Sequence, residues 1–189
     1  MNQVASFRLP ALAAGLILLA TACVSAPREQ AGAGVAMAAS RAATPDIAGL
    51  HQPRPGLYTG GQPLAAAWTA MAAQGVVSII NLRPDVELGA RDEAAEVRDA
   101  GMAYRVIPVA GAADITLANA SLLWSALAQA PGTTAVHCSS GNRVGALLAL
   151  GAATQGGMDT ESAIAFGRAA GLGSAEARVR EVLAERSAQ

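Results

Sequence analysis

The seven residues from His137 to Arg143 are the part of the chain whose types and spacing point most directly to chemistry. Their order, His-Cys-Ser-Ser-Gly-Asn-Arg, puts a thiol, a glycine and a guanidinium in one short loop. We predict that a strand precedes this loop and a helix follows it, so that curled amides and the positive helix end face the thiol. Arg143 adds a planar fork that binds two oxygens of an oxyanion. These surroundings favour an ionised thiol, which makes Cys138 a candidate nucleophile.

The same cysteine has a structural interpretation, because free cysteines are often buried apolar residues. The grouping Cys-x-x-Gly-x-Arg, with a histidine in front, favours the functional interpretation. Gly141 allows the tight turn that a side chain would obstruct. The loop residues expected to contact a substrate are His137, Ser139, Ser140, Gly141 and Asn142.

The elements that position this loop are predicted from apolar runs and turn residues. Strands are predicted at 57–59, 76–82, 104–109 and 134–137, and helices at 63–74, 91–100, 116–129, 144–154, 160–169 and 175–186. Thr116, Thr160 and Ser174 are the predicted helix N-caps. Because strands and helices alternate, we expect an α/β fold of three layers, with a mostly parallel central sheet of four to five strands and helices on both faces. Ligands bind at the carboxyl ends of strands in such folds, where the loop lies.

Several further blocks accompany the loop in a fixed order between Gly56 and Leu150. They are Gly-Leu-Tyr-Thr-Gly-Gly-Gln-Pro at 56–63, Ile-Asn-Leu-Arg-Pro-Asp at 80–85, Ile-Pro-Val at 107–109 and Asp-Ile-Thr at 114–116. With these blocks the sequence resembles the beta-lactamase-hydrolase-like protein phosphatase-like domain family, a branch related to dual-specificity phosphatases. The resemblance implies a cysteine-phosphatase-like fold. It differs at Ser139, where the family often has Arg, and at Val144, where a hydroxyl residue usually follows the Arg.

The resemblance implies a phosphatase that acts through a phosphocysteine at Cys138. Arg143 and the loop amides would hold the phosphoryl oxygens, and a carboxylic acid would protonate the leaving group. Asp114 is the preferred acid because it lies in a matching block, and Asp85 is the alternative. Arg83 is either a second anion contact or a surface salt bridge. The substrate would be a phosphorylated protein or small molecule.

Two other functions remain open. Four residues separate Cys138 from Arg143, whereas ordinary cysteine phosphatases have five and rhodanese-type sulfurtransferases have the shorter loop. A smaller loop accommodates a persulfide more easily than a phosphoryl group, so a sulfurtransferase supplied by a sulfur donor is the runner-up. An inactive lipoprotein that only binds anions is the third hypothesis, supported by Val144. None of the three requires a metal or an organic cofactor.

The N-terminus is predicted to direct export. Residues 1–22 form a signal peptide with a basic start and a short apolar stretch, and Leu-Ala-Thr-Ala before Cys23 resembles a bacterial lipobox. We therefore expect lipidation of Cys23, attachment to a membrane facing the periplasm or cell exterior, and the outer membrane rather than the inner. We predict that residues 23–55 form a flexible Ala/Gly/Pro tether and that residues 56–189 form the phosphatase-like domain.

Composition excludes some partners. The 189-residue chain has a formal charge of −1 and no cluster of basic residues, which argues against nucleic acid as a ligand. The two cysteines, Cys23 and Cys138, have separate predicted roles, so no disulfide is expected. No zinc-type cysteine pairs and no dinucleotide-binding glycine pattern occur.

Overall fold

The computed structural model describes Ile47 and residues 49–188. These residues are built around one five-stranded sheet in the order β1-β2-β5-β3-β4. The strands are β1 at Leu50–Arg54, β2 at Leu57–Gly60, β3 at Ser78–Asn81, β4 at Ala103–Val106 and β5 at Thr134–His137. β1 is antiparallel to β2, and the other neighbouring pairs are parallel. The carboxyl ends of β2 to β5 therefore meet at one end of the sheet.

Helices cover both faces of this sheet. In the described residues they are α1 at Ala67–Ala73, α2 at Glu93–Asp99, α3 at Leu117–Ala128, α4 at Asn142–Thr154, α5 at Thr160–Ala169 and α6 at Glu176–Ser187. Side chains from α1 and α2 pack in one buried cluster, and side chains from α3 to α6 pack in another. Val136 of β5 belongs to the second cluster and its neighbour Ala135 to the first, as the alternation of a strand requires. The predicted three-layer α/β fold is confirmed.

Strand β1 differs from the prediction, which assigns residues as far as 55 to a flexible tether. Its polar residues are mostly exposed, and it contains Pro53. An edge strand pairs with only one other strand, so it tolerates proline and needs no alternation of apolar residues. The sequence of β1 therefore resembles that of a linker. The predicted signal peptide, Cys23 and most of the tether lie outside the described residues. Of the helices described, none is both long and apolar enough to cross a membrane.

Three of the six described helices begin at a side-chain cap, and one of the three predicted caps is confirmed. Thr116 accepts a hydrogen bond from the backbone N–H of Asn119, 3.2 Å away, and begins α3. α5 is capped by Asp159 rather than by Thr160, because the Asp159 carboxylate accepts two backbone N–H groups at 3.0 Å. Ser174 does not cap α6, since its hydroxyl accepts a hydrogen bond from Asn142.

Helix α4 is the most buried helix of the domain and carries the cysteine loop at its N-terminus. Nine of its residues, from Val144 to Ala152, are buried. Small residues allow this close packing: a Cβ added to Gly145 would lie 2.2 Å from the backbone nitrogen of Leu172. The loop therefore rests on a rigid helix that is held on several sides.

Candidate active site

The sulfur of Cys138 lies at the junction of β5 and α4. The side chain is fully buried, and Sγ accepts a hydrogen bond from the backbone N–H of Gly141 at 3.1 Å. Gly141 has φ +91°, and a Cβ there would come within 3.3 Å of the carbonyl carbon of Gly60. Glycine is thus needed both for the conformation and for the space. One amide of the loop already points at the sulfur, as predicted.

The guanidinium of Arg143 is held beside the loop by an acidic partner. Its two terminal nitrogens each lie 2.7 Å from a carboxylate oxygen of Glu87, and Nη1 also donates to the carbonyl of Val109. The hydrogen bonds that Arg143 donates to Glu87 are the main cause that raises the pKa of Arg143. Arg143 is therefore oriented by Glu87 at the helix end next to the cysteine loop.

A second arginine shares the same carboxylate. Arg83 Nε lies 3.3 Å from Glu87 Oε2, and other nitrogens of Arg83 donate to the Glu87 carbonyl and to the side chain of Gln62. Hydrogen bonding to Arg143 is the largest of the causes that hold the pKa of Glu87 below its usual value, and Arg83 contributes. Of the two interpretations of Arg83, the structure has the salt bridge.

A cleft of about 340 Å³ opens at the cysteine loop. The loop residues that line it are Ser139, Ser140, Asn142 and Arg143. Its other walls come from the segment after β4 and the start of the α6 region, namely Ala110, Gly111, Ala112, Ile115, Ser174 and Ala175. Three of the predicted substrate contacts thus line the cleft together with Arg143, and Gly141 lies buried behind them.

Asn142 joins the loop to the opposite wall of this cleft. Its Oδ1 accepts hydrogen bonds from the backbone N–H groups of Gly173 at 2.8 Å and Ala175 at 3.2 Å. Its Nδ2 donates to the hydroxyl of Ser174 at 3.0 Å. The α5–α6 connection is therefore tied to the residue that begins α4.

His137 lies on the opposite face of the sheet from the cleft, which corrects the expectation of a direct substrate contact. Its side chain is buried, with Nε2 2.9 Å from Oε1 of Glu93 and its ring 5.9 Å from that of Trp68. His137 and Cys138 are consecutive at the end of a strand, so their side chains point to different faces. His137 therefore lies next to the cysteine loop on the side away from the cleft.

The two candidate acids are both outside the lining of the cleft. Asp114 follows the cleft residues Gly111 and Ala112, but its Oδ2 accepts the backbone N–H of Ala110 at 2.8 Å. Asp85 is exposed and borders a separate cavity of about 370 Å³ on the α2 side. Neither carboxylate contacts the sulfur in this arrangement.

Several residues that build the site were missed by the sequence reasoning. They are Gln62, Glu87, Glu93 and Tyr104, all of which bond to residues near the loop. Glu87 and Glu93 occur among other charged residues, and nothing local distinguishes them. Gln62 lies in a block that carries the family resemblance, which was the one available signal. Among the described residues, no group of three or more His, Cys, Asp or Glu side chains is arranged to hold a metal ion.

Sequence comparison places these features in a family. The family model for the beta-lactamase hydrolase-like protein, phosphatase-like domain, matches residues 61–155, from the turn after β2 through α4. A beta-lactamase hydrolase-like protein of Xylella fastidiosa is 39% identical over 120 residues, which cover 61% of this chain and 28% of that protein. The Agrobacterium fabrum protein of the same name is 37% identical with the same coverage. This chain therefore spans less than a third of the length of these relatives.

Solved structures agree with this assignment. A candidate phosphatase from Shewanella putrefaciens has a TM-score of 0.56 at 27% identity, covering 72% of this chain and 92% of that one. Another from Neisseria meningitidis has a TM-score of 0.59 at 25% identity, covering 69% and 94%. Tk-PTP in its active form, at 16% identity, supports the fold alone with a TM-score of 0.57, covering 73% and 95%. The fold is that of the cysteine-phosphatase-like proteins, and the chain belongs to the beta-lactamase hydrolase-like protein, phosphatase-like domain family.

Proposed function

We propose that this domain is a phosphatase of phosphoric monoesters that uses Cys138 as its nucleophile. The observation that carries the proposal is the hydrogen bond from the Gly141 amide to Sγ, at the N-terminus of α4 and beside the oriented Arg143. An amide, a helix N-terminus and a guanidinium together favour a thiolate and an oxyanion at the same point. Membership of a phosphatase-like family supports the same chemistry.

In the proposed reaction the Cys138 thiolate attacks phosphorus and forms an S–P bond while the P–O bond to the leaving group breaks. Asp114 gives its proton to the departing alkoxide. Water then gives a proton to the Asp114 carboxylate and attacks the phosphocysteine, the S–P bond breaks, and inorganic phosphate leaves with the thiolate and the Asp114 acid restored. Arg143 and the loop amides hold the non-bridging oxygens as charge builds on them.

This mechanism sets a requirement on Asp114. Its carboxylate must leave the N–H of Ala110 to reach a substrate in the cleft. The short turn that carries it, Ala112–Asp114, also supplies the cleft residue Ala112, so the required change is one within this turn. Asp85, the alternative acid, borders a different cavity.

A second candidate is sulfur transfer, favoured by two specific observations. No carboxylate is among the side chains that line the cleft, and a persulfide reaction needs no acid. Only four residues lie between Cys138 and Arg143, which leaves a small loop. In this reaction the thiolate takes the sulfane sulfur of thiosulfate, the S–S bond breaks and sulfite leaves. Cyanide then removes that sulfur as thiocyanate and restores the thiolate.

Paired assays separate these functions. The purified protein is incubated with p-nitrophenyl phosphate and, separately, with thiosulfate and cyanide. Phosphate release that is lost in Cys138→Ser and reduced in Asp114→Asn supports the phosphatase, whereas loss in Asp85→Asn instead would assign the acid to Asp85. Thiocyanate formation that needs Cys138 but not Asp114 supports sulfur transfer. If neither product forms while sulfate or vanadate raises the melting temperature, only anion binding remains.

Export and anchoring are a separate proposal that rests on the N-terminal sequence. We propose that residues 1–22 are a lipoprotein signal and that acylated Cys23 holds the protein on a membrane, with the domain facing the periplasm or the cell exterior. Cys23→Ala should release the protein into the soluble fraction of its host. Membrane fractionation that is unchanged in this variant would refute the anchor.

A further inference from the structure

The carboxylate of Glu93 is the centre of a buried polar network behind the cysteine loop. It is 1% exposed and is contacted by His137 Nε2 at 2.9 Å, by the donating hydroxyl of Tyr104 at 3.0 Å and by the donating amide of Gln62. Burial by itself raises the pKa of Glu93, but the contact with His137, with help from Gln62 and Tyr104, outweighs it and keeps the pKa below its usual value. A carboxylate enclosed in this way is stable only while its partners are in place.

Two of these partners hold the chain on either side of the nucleophile. His137 precedes Cys138 directly. Gln62 donates its backbone N–H to the carbonyl of Ser139, the residue that follows Cys138, at 3.2 Å. The Glu93 carboxylate therefore contacts the residue before the sulfur directly and the residue after it through Gln62, from the face of the sheet opposite to the cleft.

The network also continues to the guanidinium that faces the loop. The side-chain oxygen of Gln62 accepts from Arg83, whose Nε lies 3.3 Å from Glu87. Glu87 in turn holds both terminal nitrogens of Arg143 at 2.7 Å. An unbroken series of side-chain contacts thus runs from Glu93 to Arg143 through Gln62, Arg83 and Glu87.

We propose that Glu93 is a positioning residue that fixes both the backbone of the Cys138 loop and the orientation of Arg143 through its contacts with His137 and Gln62. The inference rests on the proposed function of this loop as an oxyanion site. Glu93 itself touches no substrate, since it lies under the opposite face of the sheet. Its role is to hold the imidazole of His137, whose Nε2 lies 2.9 Å from the carboxylate, and to set the amide orientation of Gln62 so that its oxygen faces Arg83.

The variant Glu93→Gln tests this proposal because it keeps the size of the side chain but presents an NH₂ group to donors. Affinity for inorganic phosphate is measured by calorimetry, and folding by circular dichroism and thermal unfolding. We expect phosphate to bind about tenfold more weakly in the folded variant. Glu96→Gln is the matched control, because Glu96 lies on the same helix but bonds to Arg91 and Trp68. Phosphate affinity equal to that of the wild type in folded Glu93→Gln would overturn the proposal.

A measurement on the unchanged protein keeps the test decisive if the variant does not fold. NMR of nitrogen-labelled protein reports which imidazole nitrogen carries a proton, and the chain has only two histidines, of which His51 is exposed and serves as reference. A proton on Nε2 of His137 supports the proposal, and an unprotonated Nε2 refutes it. If the paired assays release neither phosphate nor thiocyanate but phosphate binding depends on Glu93, only the proposed function is refuted. A wild-type protein that binds no phosphate would instead refute the oxyanion site itself.

Discussion

Glu87 and Arg143 are 56 residues apart in sequence and form a two-pronged ion pair, in which each carboxylate oxygen lies 2.7 Å from a different guanidinium nitrogen. Such a pair fixes the plane of the guanidinium as well as its position. Since Arg143 is the only charged residue among those that line the described cleft, its orientation determines how an oxyanion binds there. The short 3-10 turn at Asp85–Glu87, after β3, is therefore a functional part of a site that is otherwise built on β5 and α4.

Replacing Glu87 by Gln should weaken catalysis and anion binding. The variant loses one of two charge-assisted contacts, so the guanidinium samples other orientations, and we expect a decrease in kcat/KM of about tenfold or more. The measurement is product release in whichever of the two assays the wild type performs, together with vanadate affinity. Glu161→Gln is the control, because Glu161 forms a similar two-pronged pair with Arg180 on the surface. Equal losses in both variants would show that the effect is not local.

The same ion pair predicts a pH dependence of stability. Because hydrogen bonding to Arg143, followed by its charge and that of Arg83, holds the pKa of Glu87 below its usual value, the folded state binds this proton less readily than the unfolded state. The stabilisation is therefore present above the unfolded value and is lost as pH falls through the folded one. Chemical denaturation of wild type and Glu87→Gln from about pH 7 to about pH 3 measures it. The two stabilities should converge in acid, and a constant difference would contradict the assignment.

Much of the fold follows from local sequence patterns. The apolar run that contains β3 and the short run at β5 are bounded by Gly and Pro, and the helices between them have clear ends. These patterns do not predict β1, because a mostly exposed edge strand with Pro53 lacks apolar alternation. The sequence predicts the cap of α5 one residue too late, since Asp159 and Thr160 are adjacent and both residue types cap helices.

The site is predictable only where its residues are neighbours in sequence. Cys138, Gly141 and Arg143 occur in one loop, and their spacing carries the chemistry. Glu87 and Glu93 reach this loop through tertiary packing, and each looks like an ordinary surface acid in its own segment. Burial of a carboxylate is a property of the assembled sheet and helices, so no local pattern reveals it.

Asn142 should control the wall of the cleft through its three hydrogen bonds to Gly173, Ala175 and Ser174. Asn142→Ala removes all three, and we expect the free energy of unfolding to fall by about 2 kcal/mol, since the bonds are partly exposed. Ser174→Ala removes only one and should cost about 0.5 to 1 kcal/mol. Urea denaturation of both variants gives the comparison. A larger loss in Ser174→Ala than in Asn142→Ala would mean that the serine, not the asparagine, fastens this connection.

Gly145→Ala should destabilise the platform on which the cysteine loop rests. The added Cβ would lie 2.2 Å from the Leu172 nitrogen and 2.6 Å from the Gly167 carbonyl oxygen, which are backbone atoms that cannot rotate away. Since α4 would have to move away from α5, we expect a loss of about 3 kcal/mol in the free energy of unfolding, at the upper end of overpacking effects. Gly173→Ala is the control nearby, where the added Cβ meets only Asn142 Oδ1 at 3.7 Å, an ordinary contact. Thermal and urea unfolding of the two variants should differ clearly, and similar stabilities would show that α4 and α5 are less tightly packed than described.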